Sequence, residues 1–263
     1  MSEVILKTTG LCLSFGGVEA VKDFSMELHK GEIRGIIGPN GAGKTTIFNT
    51  ISRIYNQDRG IIEFDGHLID SIDQNSIDQI KIARMGLSRT FQNTRLFTGL
   101  NVLDNVKVAL DWMGNYSIFE ALFLLPRRFK YEKITNQRAM ECLNILGLEA
   151  YARQNAASLP YGIQRRVEIA RALVSGPKVL LLDEPAAGLN TEEVFQLIDF
   201  INGITRREPE LAIMVIEHRM DLIMNLCSYI YVQDFGITIA GGTPAEVQGN
   251  PAVLAAYLGE EEG

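Results

Sequence analysis

Gly38-Pro39-Asn40-Gly41-Ala42-Gly43-Lys44-Thr45-Thr46 reads as G-x-x-x-x-G-K-[ST], the spacing of a phosphate-binding loop. Both flanks suit that reading. Ile33 to Ile37 is a short apolar run of the kind that forms a buried parallel strand. Thr46 to Ile54 suits a helix, with Ile47, Phe48 and Ile51 toward one side. Glycines at 38, 41 and 43 let the backbone curl until its N–H groups converge on an anion. The following helix adds the positive end of its dipole. In such a loop Lys44 reaches the β- and γ-phosphates of a nucleotide, and the Thr45 hydroxyl ligates Mg²⁺. A chance match in a glycine-rich chain would lack the flanking strand and helix.

The 263 residues allow one large domain, or one domain carrying a subdomain. With 46% hydrophobic and 22% charged residues, the chain has the balance of a globular protein with a substantial core. A formal net charge of −7 speaks against a general nucleic-acid binder, which needs a basic face. Cys12, Cys142 and Cys227 are scattered, odd in number and without metal spacing, so a reducing cytosol is the natural compartment. Met1-Ser2-Glu3-Val4 lacks the layout of a signal peptide. The apolar stretch around Ala121 to Leu125 falls far short of the ~20 residues that span a bilayer. If membranes matter here, another chain supplies the span.

Residues 4 to 37 read as β-structure: Val4 to Leu6, Leu11 to Phe15, Val18 to Leu28 and Ile33 to Ile37, with turns at Gly16-Gly17 and Lys30-Gly31. Phe15 is either an adenine platform or a plain core or turn aromatic. Gly60 to Phe64 is a strand ending in an Asp65-Gly66 turn, Ile77 to Met85 a short helix, and Leu87 to Phe91 a strand followed by Gln92. An amide at such a strand end can contact Mg²⁺ or an attacking water, although by itself it reads as a loop glutamine.

From Asn93 to Ala157 the pattern turns helical, over Val102 to Trp112, Ile118 to Leu125 and Glu132 to Leu146, which predicts a helical insertion in an α/β core. The basic run Pro126 to Lys130 suits a solvated junction. A helix is expected from about Leu159 to Val174. Lys178 to Leu182 is then an apolar strand ending in Asp183-Glu184, at the sheet edge where α/β folds place their ligands. There an aspartate can hold Mg²⁺, and the next carboxylate can polarise a water. Thr191 to Arg206 is a helix, and Leu211 to Ile216 a buried strand with Glu217-His218 at its end. His218, unlike His29 and His67, shares the position of Gln92 and Glu184 just beyond a strand. A hairpin (Tyr229 to Gln233 with Ile237 to Gly241) and two short helices complete the chain.

Taken together, these residues resemble the nucleotide-binding subunits of ATP-binding-cassette (ABC) transporters over essentially the whole chain. The resemblance is carried by Phe15 (aromatic loop), Gly38 to Thr46 (Walker A), Gln92 (Q-loop) and Leu159 to Gln164 (signature). It continues in Asp183 and Glu184 (Walker B), Gly188-Leu189-Asn190 (D-loop) and His218 (switch histidine). Arg89 to Phe97, Pro185 to Asn190 and the ending Ala256-Tyr257-Leu258-Gly259 look most like the ATPases of branched-chain amino-acid importers, the LivG type. The ATPases of urea or amide importers, and of lipid or lipopolysaccharide exporters, are similar.

The resemblance implies an α/β P-loop NTPase with a mixed β core, an antiparallel β subdomain and an all-helical insertion. The core would span residues 1–92 and 158–263, with residues 93–157 inserted. It further implies ATP and Mg²⁺, with Thr45, Gln92 and Asp183 at the metal. Glu184 would orient the water, His218 would bind the γ-phosphate, and Tyr161 and Gly162 would cover a partner's nucleotide. The implied partners are a second ATPase subunit, two permease subunits and an external substrate-binding protein, at the cytoplasmic face of the membrane. Two motifs depart from the family pattern. Pro160, Tyr161 and Ile163 replace serine, glycine and glutamine of the signature, and Asn190 replaces the D-loop aspartate. A heterodimer with one weaker site is the expectation that follows.

Overall fold

The computed structural model describes residues 3–69, 79–92, 96–113 and 126–258. The predicted helix at Ile118 to Leu125 and the segment Asn93-Thr94-Arg95 lie outside them, as does Gly259. The chain divides into two compact units, Met1–Gln92 with Lys178–Gly263, and Asn93–Pro177.

In the first unit, local pairing builds an antiparallel sheet. β1 (Val4–Phe15) and β2 (Val18–His29) are joined by Gly16-Gly17, both with positive φ. β3 (Ile33–Ile37) and α1 (Lys44–Ile51) leave for a second sheet, and β4 (Arg59–Phe64) and β5 (His67–Leu68) return to give the order β2-β1-β4-β5. β1 runs unbroken where the sequence predicts a gap at residues 7–10, because β2 and β4 pair with it on both sides. The irregularity is absorbed as a bulge between Thr8 and Leu11.

The second sheet follows α2 (Gln79–Met85) and has the order β10-β9-β3-β8-β7-β6. It comprises β6 (Leu87–Arg89), β7 (Val179–Asp183), β8 (Ala212–Ile216), β9 (Tyr229–Asp234) and β10 (Ile237–Gly242). Its strands are parallel except for β10 at the edge. Every residue of β7 and β8 is buried, which explains their uninterrupted apolar sequences. The two sheets share one core, in which Phe24 and Phe64 join Phe48 of α1 and Leu181, Met214 and Ile216. Each fully buried phenylalanine contributes about 1.5–3 kcal/mol. His67 is exposed and His29 half-buried.

The second unit holds α3 (Val102–Lys107), α4 (Pro126–Ile145) and α5 (Tyr161–Leu173), with short 3₁₀ turns. The helix predicted to Trp112 ends at Lys107 and tightens into a 3₁₀ segment, Val108–Met113. The basic run at 126–130 forms the first turns of α4. α5 packs against α3 and α4, so the compact division returns to the first unit at Lys178, whereas the sequence places that return at 158. The remaining helices, α6 (Thr191–Arg207), α7 (Met220–Leu226), α8 (Pro244–Gln248) and α9 (Pro251–Leu258), belong to the first unit. No helix among the described residues is long and apolar enough to cross a membrane.

Candidate active site

The loop 38–43 joins the C-terminal end of β3 to α1. Gly38, Gly41 and Gly43 have φ of 147°, 80° and 91°, conformations that side chains rarely adopt. Packing adds a second demand. A Cβ on Gly38 would lie 2.0 Å from the Gln233 carbonyl oxygen, and one on Gly43 would lie 2.2 Å from that of Ala20. A Cβ on Gly41 would meet nothing within 4 Å. Lys44 is buried, and its Nζ donates to the Gly38 and Pro39 carbonyls at 2.7 Å each, so its ammonium is held across the loop. The cap residue of α1, Gly43, supplies no side-chain hydrogen bond, which leaves the first turn to an anion. Asn40, Ala42, Thr45 and Thr46 complete the segment, and Ala42 donates its N–H to Pro39.

The other predicted residues stand just beyond neighbouring parallel strands, at the same sheet edge. Asp183 ends β7, Glu184 follows it, Gln92 lies past β6, and His218 lies past β8. Gln92 Nε2 donates to Glu184 Oε2 at 2.8 Å. Glu184 holds φ at +46°, a left-handed conformation for a residue with a side chain, and its N–H donates to the Ile216 carbonyl. His218 is half exposed, with its N–H bonded to Glu217 Oε2.

Asp183 is a buried carboxylate of the site. Its Oδ2 accepts from Arg89 Nη2 at 2.6 Å, while Oδ1 is buried without a hydrogen-bond partner among the described residues. Burial pushes its carboxyl above the usual range, opposed by the Arg89 bond and charge. An oxygen left in that state suits a hard, hydrated cation, so the donor set fits Mg²⁺.

Sequence reasoning missed three residues here. Arg89 pairs with Asp183. Glu217, fully buried, accepts backbone N–H groups of Ala186, His218 and Arg219, and burial raises its carboxyl. Arg219 donates to the Leu189 carbonyl while pairing with Asp221. The dipeptide Glu217-His218 at a strand end was the one available signal.

Phe15 ends β1, 45% exposed, with its ring edge-on to Tyr55 at 5.1 Å. Asn190 caps α6 in a reciprocal capping box with Glu193. In the second unit, Tyr161 and Gly162 open α5, and the Arg165 guanidinium lies 5.2 Å from the Tyr161 ring centre. Pro160 stands at the cap of α5, and its carbonyl accepts the Ile163 and Gln164 N–H groups.

The sequence profile described as ABC transporter matches residues 21–187, well over half of the chain. The chain belongs to the ABC transporter family. A second profile, described as branched-chain amino acid ATP-binding cassette transporter, matches residues 238–263 of this ABC ATPase. It is 41% identical over 260 residues to the high-affinity branched-chain amino acid transport ATP-binding protein LivG of Salmonella typhimurium, covering 99% of this chain and 100% of that one. With BraF of Pseudomonas aeruginosa, described in the same words, it shares 39% over 260 residues, again covering 99% and 100%. Among solved structures, an ATP-binding cassette of an ABC transporter in its ADP conformation superposes with a TM-score of 0.82 at 27% identity, covering 98% of this chain and 100% of that one. The cbiO1 cassette of Clostridium perfringens gives 0.79 at 28% identity, covering 97% and 94%. The fold is therefore that of a P-loop ABC ATPase.

Proposed function

We propose that this chain is the ATP-hydrolysing subunit of an importer for branched-chain amino acids. It would sit on the cytoplasmic face of the plasma membrane, against two permease subunits served by an external substrate-binding protein. End-to-end likeness to LivG and BraF carries this reading, and the match of residues 238–263 to the branched-chain profile supports it.

In the mechanism, the Lys44 ammonium transfers from the Gly38 and Pro39 carbonyls to the β- and γ-phosphates. The N–H groups of Gly41 and of residues 43 to 46 hold the remaining phosphate charge, and the Phe15 face stacks on adenine. Mg²⁺, held by Thr45, Gln92 and Asp183, would supply charge neutralisation on the phosphate oxygens. Glu184 orients the attacking water and takes its proton, within reach of the Gln92 amide. His218 donates to the γ-phosphate oxygens as charge moves toward the leaving ADP.

Two such subunits would enclose ATP between one Walker loop and the other's Tyr161-Gly162 turn. Pro160 offers that turn neither a hydroxyl nor an N–H, and its carbonyl is already bonded within α5. This supports a heterodimer in which the present chain supplies the weaker signature.

The test is reconstitution with the cognate permeases and binding protein in proteoliposomes. Expected is ATP-dependent uptake of labelled leucine, isoleucine or valine that is lost in Lys44→Ala. Uptake of urea or a short amide instead, or outward movement of lipid, would replace this assignment.

A further inference from the structure

Arg89 is the last residue of β6, and its guanidinium is fixed from three sides. Nη2 donates to Asp183 Oδ2 at 2.6 Å, with both side chains buried. Nη1 donates to Asn49 Oδ1 at 2.8 Å and to Ser52 Oγ at 3.0 Å, in and just after α1. The rings of Phe48 and Phe91 lie 5.5 and 5.4 Å from its central carbon. The Asp183 carboxylate is thereby tied to the helix that begins with Lys44. Its torsion is set, and the unbonded Oδ1 is left to take another ligand. Phe91, held on the same guanidinium, also anchors the chain immediately before Gln92.

We propose that Arg89 is the positioning residue of the magnesium site: it orients Asp183 so that Oδ1 alone is offered to the cation, and registers that oxygen against α1. The proposal rests on the reading of Asp183 as the magnesium carboxylate. Lysine replaces this planar fork incompletely, because one ammonium cannot reach Asp183, Asn49 and Ser52 in the same arrangement.

The experiment uses the full chain, with Mn²⁺ as the spectroscopic stand-in and a non-hydrolysable ATP analogue. Metal occupancy is read by electron paramagnetic resonance, and analogue affinity is measured separately in chelator. Arg89→Met is expected to raise the Mn²⁺ concentration for half-occupancy about tenfold, the scale for losing a residue that orients a ligand, with metal-free affinity unchanged. Arg89→Lys should recover part of the loss. Asn49→Ala, which removes one hydrogen bond from the guanidinium while sparing the ion pair, should shift occupancy in the same direction by less, and it serves if Arg89→Met does not fold. Unaltered Mn²⁺ occupancy in the Arg89 and Asn49 variants would overturn the proposal. So would a matching loss of metal-free nucleotide binding, which would mark a merely structural role. Asp183→Asn separates the two levels: normal Mn²⁺ binding there would remove the reading of Asp183 itself.

Discussion

The Glu217 carboxylate accepts the Ala186 N–H at 2.7 Å, while its other oxygen accepts the N–H groups of His218 and Arg219 at 3.1 and 3.3 Å. One buried side chain thus clips the turn after Glu184 to the segment that carries His218. Glu217→Ala leaves one buried backbone donor, at Ala186, and two part-buried ones, at His218 and Arg219, without their acceptor, at about 1–3 kcal/mol each as an upper scale. A loss of about 3 kcal/mol or more in urea unfolding is expected. Glu217→Gln, which keeps one oxygen for Ala186, should cost about 1–3 kcal/mol and lower kcat more than ATP affinity. Unchanged stability in both variants would show that the clip is dispensable.

Glu184 joins a strained backbone to its proposed chemistry. Glu184→Gln should leave ATP binding intact and slow hydrolysis by at least ~10²-fold, the scale for a positioned base. The left-handed φ costs a residue with a side chain about 1–2 kcal/mol, which glycine avoids. Glu184→Gly should therefore unfold no more easily than the parent, although it gives up the bond from Gln92. Calorimetry showing clear destabilisation by glycine would contradict the strain.

The three loop glycines should not be equivalent. Alanine at 38 or 43 drives a methyl into a carbonyl oxygen at 2.0 or 2.2 Å, so both variants should lose nucleotide binding and much of their stability. Alanine at 41 meets open space and should cost about 1–2 kcal/mol of backbone strain. Thermal shift and analogue binding rank the three. Equal behaviour would refute the packing argument.

Phe15→Ala should weaken ATP binding by about 1–3 kcal/mol, the scale of one base–aromatic stack, and GTP binding about equally. Its contact with Tyr55 makes a competing prediction, in which stability falls and neither nucleotide notices. Titration of both nucleotides separates the two.

The isolated chain should hydrolyse ATP slowly and remain mostly monomeric, with a distinct ATPase subunit stimulating it. Sizing in ATP checks this. A stable homodimer with fast cooperative turnover would make the Pro160 signature fully competent.

Legibility followed the reach of each signal along the chain. The strand–loop–helix at 33–51 and the buried strand at 179–183 announce themselves by local apolar runs and turn chemistry. The placement of Gln92, Glu184 and His218 beyond parallel strands was readable for the same reason. The partner of Asp183 was not, because no local pattern states which cation a buried carboxylate receives from 94 positions away. Glu217 hid its role likewise, since its partners are backbone groups, which every sequence supplies. At Val108–Met113 the α and 3₁₀ periods are too alike over six residues to be told apart.

The contacts of the phosphate loop with residues 233–236 set an order of events during synthesis. Gly38 packs on the Gln233 carbonyl, the Gly236 N–H donates to Ala42, and β3 lies between β8 and β9. These neighbours leave the ribosome almost 200 residues after the loop itself, whereas β1, β2 and β4 find one another within the first 64. A nascent chain can therefore form its antiparallel sheet early but cannot close its nucleotide pocket until residues 229–236 have emerged. ATP is thus a ligand of a chain that has already reached residue 236, and its binding energy stabilises the fold only from that point on.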